Sequence, residues 1–237
     1  GDGNKEGAAR YLLGVLKHIR AETAHVPPSQ KMNSRLISQG YDGFIFSDYS
    51  CSQISQSIQS KIKRQVENGA GLLMVGGWGS FSGPFGGWRG SVIESLLPVQ
   101  CREKDLRAQF PGGALVCLKK SHPAITGLAF RNPPVLCGLN DVILKKDALV
   151  SLSARKIVFV NQKLILDPFE YPLLVFRKKA SSRIAALTTD LAPHWCGGLV
   201  DWGGGFQEIR VEKGISIQIG MSYLALVSNL LRWLGSR

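Results

Sequence analysis

The 237-residue chain is poor in the features that mark membrane, disulfide-built and metal-built proteins. No apolar run approaches the roughly 18–20 residues that a membrane-spanning helix needs. The five cysteines (Cys51, Cys101, Cys117, Cys137 and Cys196) are odd in number and show no CxxC spacing. That argues against a zinc site or a disulfide framework and fits a reducing, cytoplasmic compartment. Only four histidines are present, and His122 and His194 sit in no ligand pattern. The one combination open to a metal is a mixed oxygen/nitrogen set of Asp48, Asp190, Asp201 and His194, so no metal or other cofactor is expected. Acidic residues are also scarce: 17 against 29 basic ones, a formal charge of +12.

A charge of that size raises the question of a nucleic-acid partner. The basic residues are scattered, as in Lys61, Lys63 and Arg64, Lys145 and Lys146, or Arg177, Lys178 and Lys179. No recognition-helix, zinc-finger or RNA-binding signature accompanies them, so a solvated surface is expected and no specific nucleic-acid partner. With 44% hydrophobic and 19% charged residues the composition is globular. The chain has no internal repeat and no linker long enough to separate two units, so residues 1–237 are read as one domain.

Periodicity gives the elements. From Asn4 to Arg20 apolar residues recur at helical spacing. "AETAHV" reads as a short strand stopped by Pro27 and Pro28, and "YDGFIFSDYS" as a parallel strand delivering Asp48 at its carboxyl end. Ile54, Ile58, Ile62 and Val66 mark an amphipathic helix closed by Asn68 and Gly69. "GLLMVGG" is the next strand, opening into the loop "GGWGSFSGPFGGWRG", and a short helix "SVIESLL" ends at Pro98. Short strands around 114–118, 142–144, 157–160 and 173–177 suggest antiparallel additions at the sheet edge. "SRIAALTTD" is a buried strand and residues 221–234 a closing helix. This alternation predicts a mostly parallel sheet with helices on both faces. The opening "GDG" reads as the crest of a turn after a first strand that lies outside this chain.

Open α/β sheets bind ligands beyond the carboxyl ends of their strands. Three segments are expected to converge there: Asp48-Tyr49, the loop 76–90, and 190–203. The glycine-rich loop either brings the N–H groups of Gly76, Gly77 and Gly79 close to an anion or packs Trp78, Phe81, Phe85 and Trp88 into a tight turn. It is neither a Walker A loop nor a dinucleotide fingerprint, and Ser80 in "GGWGSF" does not make a G-x-S-x-G elbow. His194 stands in "DLAPHWC", where Pro193 stiffens the approach and Trp195 can wall the imidazole from water. Asp190 or Asp201 could orient it for proton transfer. Cys196, two residues on in an extended stretch, would point the opposite way, so a Cys/His pair is not expected.

Together "GAGLLMVGGWGSFSG…WRGSVIESLLPV" and "TTDLAPHWCGGLVDWG" resemble the glutamine amidotransferase-like family, relatives of class I glutamine amidotransferases and of trehalose-utilisation-type proteins. The resemblance runs from the first residue to the closing helix. It implies a flavodoxin-like three-layer α/β sandwich, and relatives of this kind often self-associate, which makes a homo-oligomer an expectation. In class I enzymes a cysteine stands at the elbow after a strand, with a late histidine and a glutamate two residues beyond it. Here the elbow offers Gly77, Trp78 and Gly79, and the residue two beyond His194 is Cys196. An acidic Asp-Asp-Arg-like cluster expected after "LLPV" is replaced by "CREKDLRAQ", leaving Asp105 and Arg107 as its counterparts. Thiol-dependent glutamine hydrolysis is therefore not expected. The resemblance leaves a pocket for a small polar ligand, a sugar or a carboxylate. His194 would be its acid or base, Asp190 or Asp201 would orient that ring, and Gly76, Gly77, Gly79, Ser80 and Asp48 would line it. Trp78, Trp195 and Trp202 would be its apolar walls. A non-catalytic interaction module of the same fold is the alternative.

Overall fold

A computed structural model describes residues 3–179 and 182–236. Gly1 and Asp2 of the opening "GDG" lie outside the described residues, as do the side chains of Lys178 and Lys179. The helices are α1 (Ala9–His18), α2 (Ser34–Ile37), α3 (Gln56–Glu67), α4 (Val92–Leu96), α5 (Pro193–Cys196) and α6 (Met221–Gly235). The central sheet contains β1 (Gly43–Ser47), β2 (Gly71–Val75), β4 (Arg107–Leu118), β5 (Val135–Asn140), β7 (Leu149–Val160), β8 (Lys163–Leu166), β9 (Tyr171–Lys179) and β10 (Ser182–Leu187). Outside it lie two small ladders, β3 (Val99–Cys101) with β6 (Val142–Leu144), and β11 (Phe206–Glu212) with β12 (Ile215–Gly220).

The strand order is β1-β2-β10-β9-β7-β4-β5, with β8 added on β7. Only β1–β2 and β2–β10 are parallel; the other pairings in the sheet are antiparallel. The expectation of a mostly parallel sheet is thus corrected. A parallel neighbour requires a crossover of a dozen or more residues, and α3 supplies one between β1 and β2. Between α4 and α5 the described residues hold no α-helix, only a short 3-10 turn at Pro123–Ile125. The strands there return by turns and pair antiparallel. The β7–β8 turn has two residues, Asn161 and Gln162, both at positive φ (47° and 61°), as a two-residue hairpin demands.

β2 shows why the sheet is buried on both faces. All five of its residues are buried, and alternation sends Leu73 and Val75 into one core, Leu72 and Met74 into the other. The first core is closed by α1, α6 and the β11–β12 hairpin; the second by α3 and α4, through Ile58, Ile62 and Val66. Ser55 caps α3 by accepting from Ile58 N–H, and Gly69 at φ 109° leads the chain away at its other end.

"AETAHV" is not a strand: residues 21–26 form no regular secondary structure. An apolar cavity of about 180 Å³ separates them from the outer edge of β1, which is the end of the sheet. Alternating residues alone do not make a strand. The β11–β12 hairpin has the opposite history. Its alternation (Ile209, Val211, Ile217 and Ile219 buried) is plain in the sequence, and Gly214 at φ 79° follows the strand as a turn signal.

Candidate functional site at the carboxyl edge of the sheet

The parallel strands β1, β2 and β10 deliver their carboxyl ends to one rim, and the glycine loop is sewn to it. Gly76 N–H donates to Leu187 O (2.8 Å) and Thr189 O (2.9 Å), joining the ends of β2 and β10. A Cβ at Gly76 would stand 2.0 Å from Thr188 O, so only glycine fits that approach. Gly77, at φ 148°, donates to Asn140 Oδ1 (2.9 Å), and Asn140 Nδ2 returns a bond to Gly77 O (3.2 Å). Gly79 N–H donates to Asp48 Oδ1 at 2.5 Å, while Asp48 N–H donates to Ser80 Oγ at 3.1 Å. The three glycine N–H groups proposed for a ligand therefore already have acceptors within the chain.

The elbow itself is filled. A Cβ at Gly77 would lie 2.6 Å from Asp48 Oδ1 and 2.8 Å from Asp48 Cγ, so any side chain there, a cysteine included, displaces Asp48. Of the four aromatic residues expected to pack into the turn, two do. Phe81 and Trp88 are fully buried, with Trp88 Nε1 donating to Tyr49 O and Gly79 O. Trp78 is 44% exposed and stacks with Phe85 at 6.4 Å. The Arg107 guanidinium lies 4.5 Å from the Trp78 ring centroid. Asp105 holds it there through Nε and Nη2. Arg107 opens β4 and pairs in register with Asn140, the residue that ties Gly77.

After β10 the chain forms a helical turn rather than the extended stretch expected. Asp190 accepts from Trp195 N–H (3.2 Å) and Cys196 N–H (2.7 Å), so its carboxylate caps α5. On a helix adjacent residues diverge by about 100°. Trp195 turns inward (1% exposed) and His194 turns out into solvent, their rings 6.5 Å apart at 15°. Trp195 thus does not wall His194 from water. Among the described residues no hydrogen bond fixes the His194 ring, and Asp201 is exposed. Trp202 is 7% exposed and donates Nε1 to Asn132 O (2.9 Å), so it too is a core residue rather than a wall. Cys196 is buried with Sγ 2.9 Å from Ala192 O, and burial together with the neighbouring Asp190 pushes its thiol well above the usual range.

The structure brings Asp48, Gly76, Gly77, Gly79 and Ser80 together. It joins them to the Asp190–Trp195 segment through β5. Thr189 Oγ1 donates to Gly138 O (2.8 Å), and Gly138 lies under the Trp195 indole, where a Cβ would come within 2.8 Å of the ring. Trp195 Nε1 is buried there without an acceptor. Asn140, Gly138 and Thr189 were not singled out in the sequence; the signal available was "CGLN", a polar residue closing an apolar strand. No cluster of three or more metal-ligating side chains occurs among the described residues. Asp48 and Asp190 spend their carboxylates on backbone N–H groups instead.

A large sheet between two cores, with a glycine elbow and a histidine-bearing turn at its carboxyl edge, defines a glutamine amidotransferase-like α/β protein. A family model described as "Putative glutamine amidotransferase" matches residues 5–208, and the chain belongs to that family. Among solved structures it is similar to a cytoplasmic protein of Salmonella typhimurium (24% identity, 96% of this chain and 87% of that one, TM-score 0.72). A second cytoplasmic protein, from Salmonella typhimurium LT2, is 21% identical over 97% of this chain and 88% of that one, with a TM-score of 0.73. A ThuA-like protein from Parabacteroides merdae shares the fold at 13% identity, covering 100% of this chain and 87% of that one (TM-score 0.57), in line with the trehalose-utilisation resemblance. No curated protein matches the chain. No helix among the described residues is long and apolar enough to cross a membrane.

Proposed function

We propose that this chain is a glutamine amidotransferase-like protein that does not use a thiol. In this reading it holds a small polar ligand, of sugar-acid or carboxylate type, on the rim beyond β1, β2 and β10. The observation that carries the reading is the Trp78–Arg107 pair: a half-exposed indole with a guanidinium fixed over it by Asp105. A flat apolar face beside a charge-assisted donor is a natural seat for a sugar ring that bears a carboxylate. The filled position at Gly77 supports the absence of a nucleophile. His194 is assigned the proton-transfer role, with Asp201 nearby in sequence and Asp190 shaping the turn that carries the ring. All five cysteines are free, which supports a reducing, cytoplasmic setting.

The test is twofold. Incubation with glutamine, with and without iodoacetamide, is expected to release no ammonia in either case; release abolished by the reagent would return the thiol route. A thermal-shift panel of sugars and sugar acids is expected to give a stabilising ligand whose effect is lost in Trp78→Ala. A second reading, an interaction module, is favoured by a different part of the molecule, the apolar arm formed by β7 and β8.

A further inference from the structure

The distal half of β7 and the whole of β8 form a two-stranded arm outside the main strand order. It is apolar on both faces. Phe159 pairs with Leu164 on one, Val158 with Ile165 on the other, and Phe159, Leu164 and Ile165 are 69%, 73% and 45% exposed. A lone two-stranded ribbon is marginal in water, and three or more strands are needed for a stable sheet. Its outer strand is also a free edge.

The register says which backbone groups that edge offers. Asp167 N–H donates to Lys156 O (2.8 Å), and Lys163 closes the two-residue turn opposite Val160. Lys163, Ile165 and Asp167 therefore direct their backbone groups to β7, and Leu164 and Leu166 direct theirs outward. Leu166 O accepts from Arg155 Nη2 at 3.2 Å, which uses one of its two lone pairs.

We propose that β8 pairs with β8 of a second copy of this chain, antiparallel about a two-fold axis at Ile165. That axis sets Leu164 opposite Leu166 of the partner subunit as a hydrogen-bonded pair, twice over by symmetry. It also sets Lys163 opposite Asp167 of the partner subunit in the closer, non-hydrogen-bonded geometry, again twice. One Asp167 oxygen is held by Phe169 N–H (2.8 Å), and the other is available to the ammonium. The result is a four-stranded ribbon whose apolar rows run across both copies. Local charge complementarity favours this occupant: Lys163 of one copy and Asp167 of the other meet at this edge, against the net charge of +12 that each copy carries. The two turn residues themselves, Asn161 and Gln162, are polar, so the arm does not end in an apolar tip. This inference is independent of the ligand rim.

Sedimentation of the full chain is expected to show a dimer. Lys163→Asp and Asp167→Lys, each placing like charges opposite one another twice, are expected to weaken it about tenfold or more. The double exchange K163D/D167K should restore it to within about threefold of wild type. Circular dichroism and the thermal midpoint of each variant establish that the fold is kept. A chain that stays monomeric at about millimolar concentration overturns the proposal. So does a dimer indifferent to either single exchange, a double exchange that does not restore association, or a monomer whose arm binds anionic vesicles instead.

Discussion

At the scale of single residues, Gly77 is the elbow position with the least room for a side chain. Its φ of 148° and the 2.6 Å gap between a notional Cβ and Asp48 Oδ1 together leave no room for a side chain. Gly77→Ala is expected to destabilise the protein by about 2 kcal/mol or more, read from denaturant unfolding. Gly77→Cys should do at least as much harm without generating glutaminase activity. His122 carries a prediction about pH. Its ring lies on Phe176 at 3.5 Å and meets Trp233 edge-on, its Nδ1 accepts from Ala124 N–H, and burial pulls it down to about 4 from 6.5. The folded state therefore holds a neutral imidazole where the unfolded chain binds a proton. Stability from this residue is present above pH 6.5 and is lost as pH falls toward 4. The thermal midpoint of wild type should fall further across that window than that of His122→Asn, which keeps a capping acceptor and does not titrate.

At the scale of elements, α5 separates two roles that the sequence runs together. Asp190 and His194 read as a carboxylate–imidazole pair, yet the carboxylate caps the turn and the imidazole leaves from its outer side. Asp190→Ala should cost about 1–2 kcal/mol, whereas His194→Ala should change stability by less than about 0.5 kcal/mol. Chemical denaturation of the two variants distinguishes a cap from a catalytic pair. The elements legible in advance were those with strong local patterns: α3 from its fourfold isoleucine and valine spacing, β2 from the apolar run "GLLMV", α6 from its amphipathic run. Strand direction was legible in part. The short strands after Pro98 were expected to pair antiparallel, and they do, but the sequence does not mark that they make up the body of the sheet rather than an addition at its edge. The Asp48–Gly79 bond was half visible. The strand-end aspartate and the glycine loop could be placed at one rim, but which donors the loop would keep for itself is decided by backbone geometry. Asn140, on a strand more than sixty residues away from Gly77, has no local signature at all.

At the scale of the whole molecule, two parallel pairings and a run of antiparallel ones give the sheet two different ends. The parallel end gathers β1, β2 and β10 around the glycine elbow. The antiparallel end extends through β7 and β8 into an apolar arm. On the two proposals above, ligand recognition belongs to the first and self-association to the second. On the proposed reading, the fold hosts a different site at its carboxyl edge from the one its family name suggests. The central claim, that Trp78 and Arg107 form the seat for a small anionic ligand, is tested most directly by calorimetric titration of the protein with a sugar acid such as glucuronate. Saturable binding by wild type, weakened about tenfold or more in both Trp78→Ala and Arg107→Ala, is the predicted result. Affinity unchanged in either variant, or no binding across the sugar acids, would contradict it.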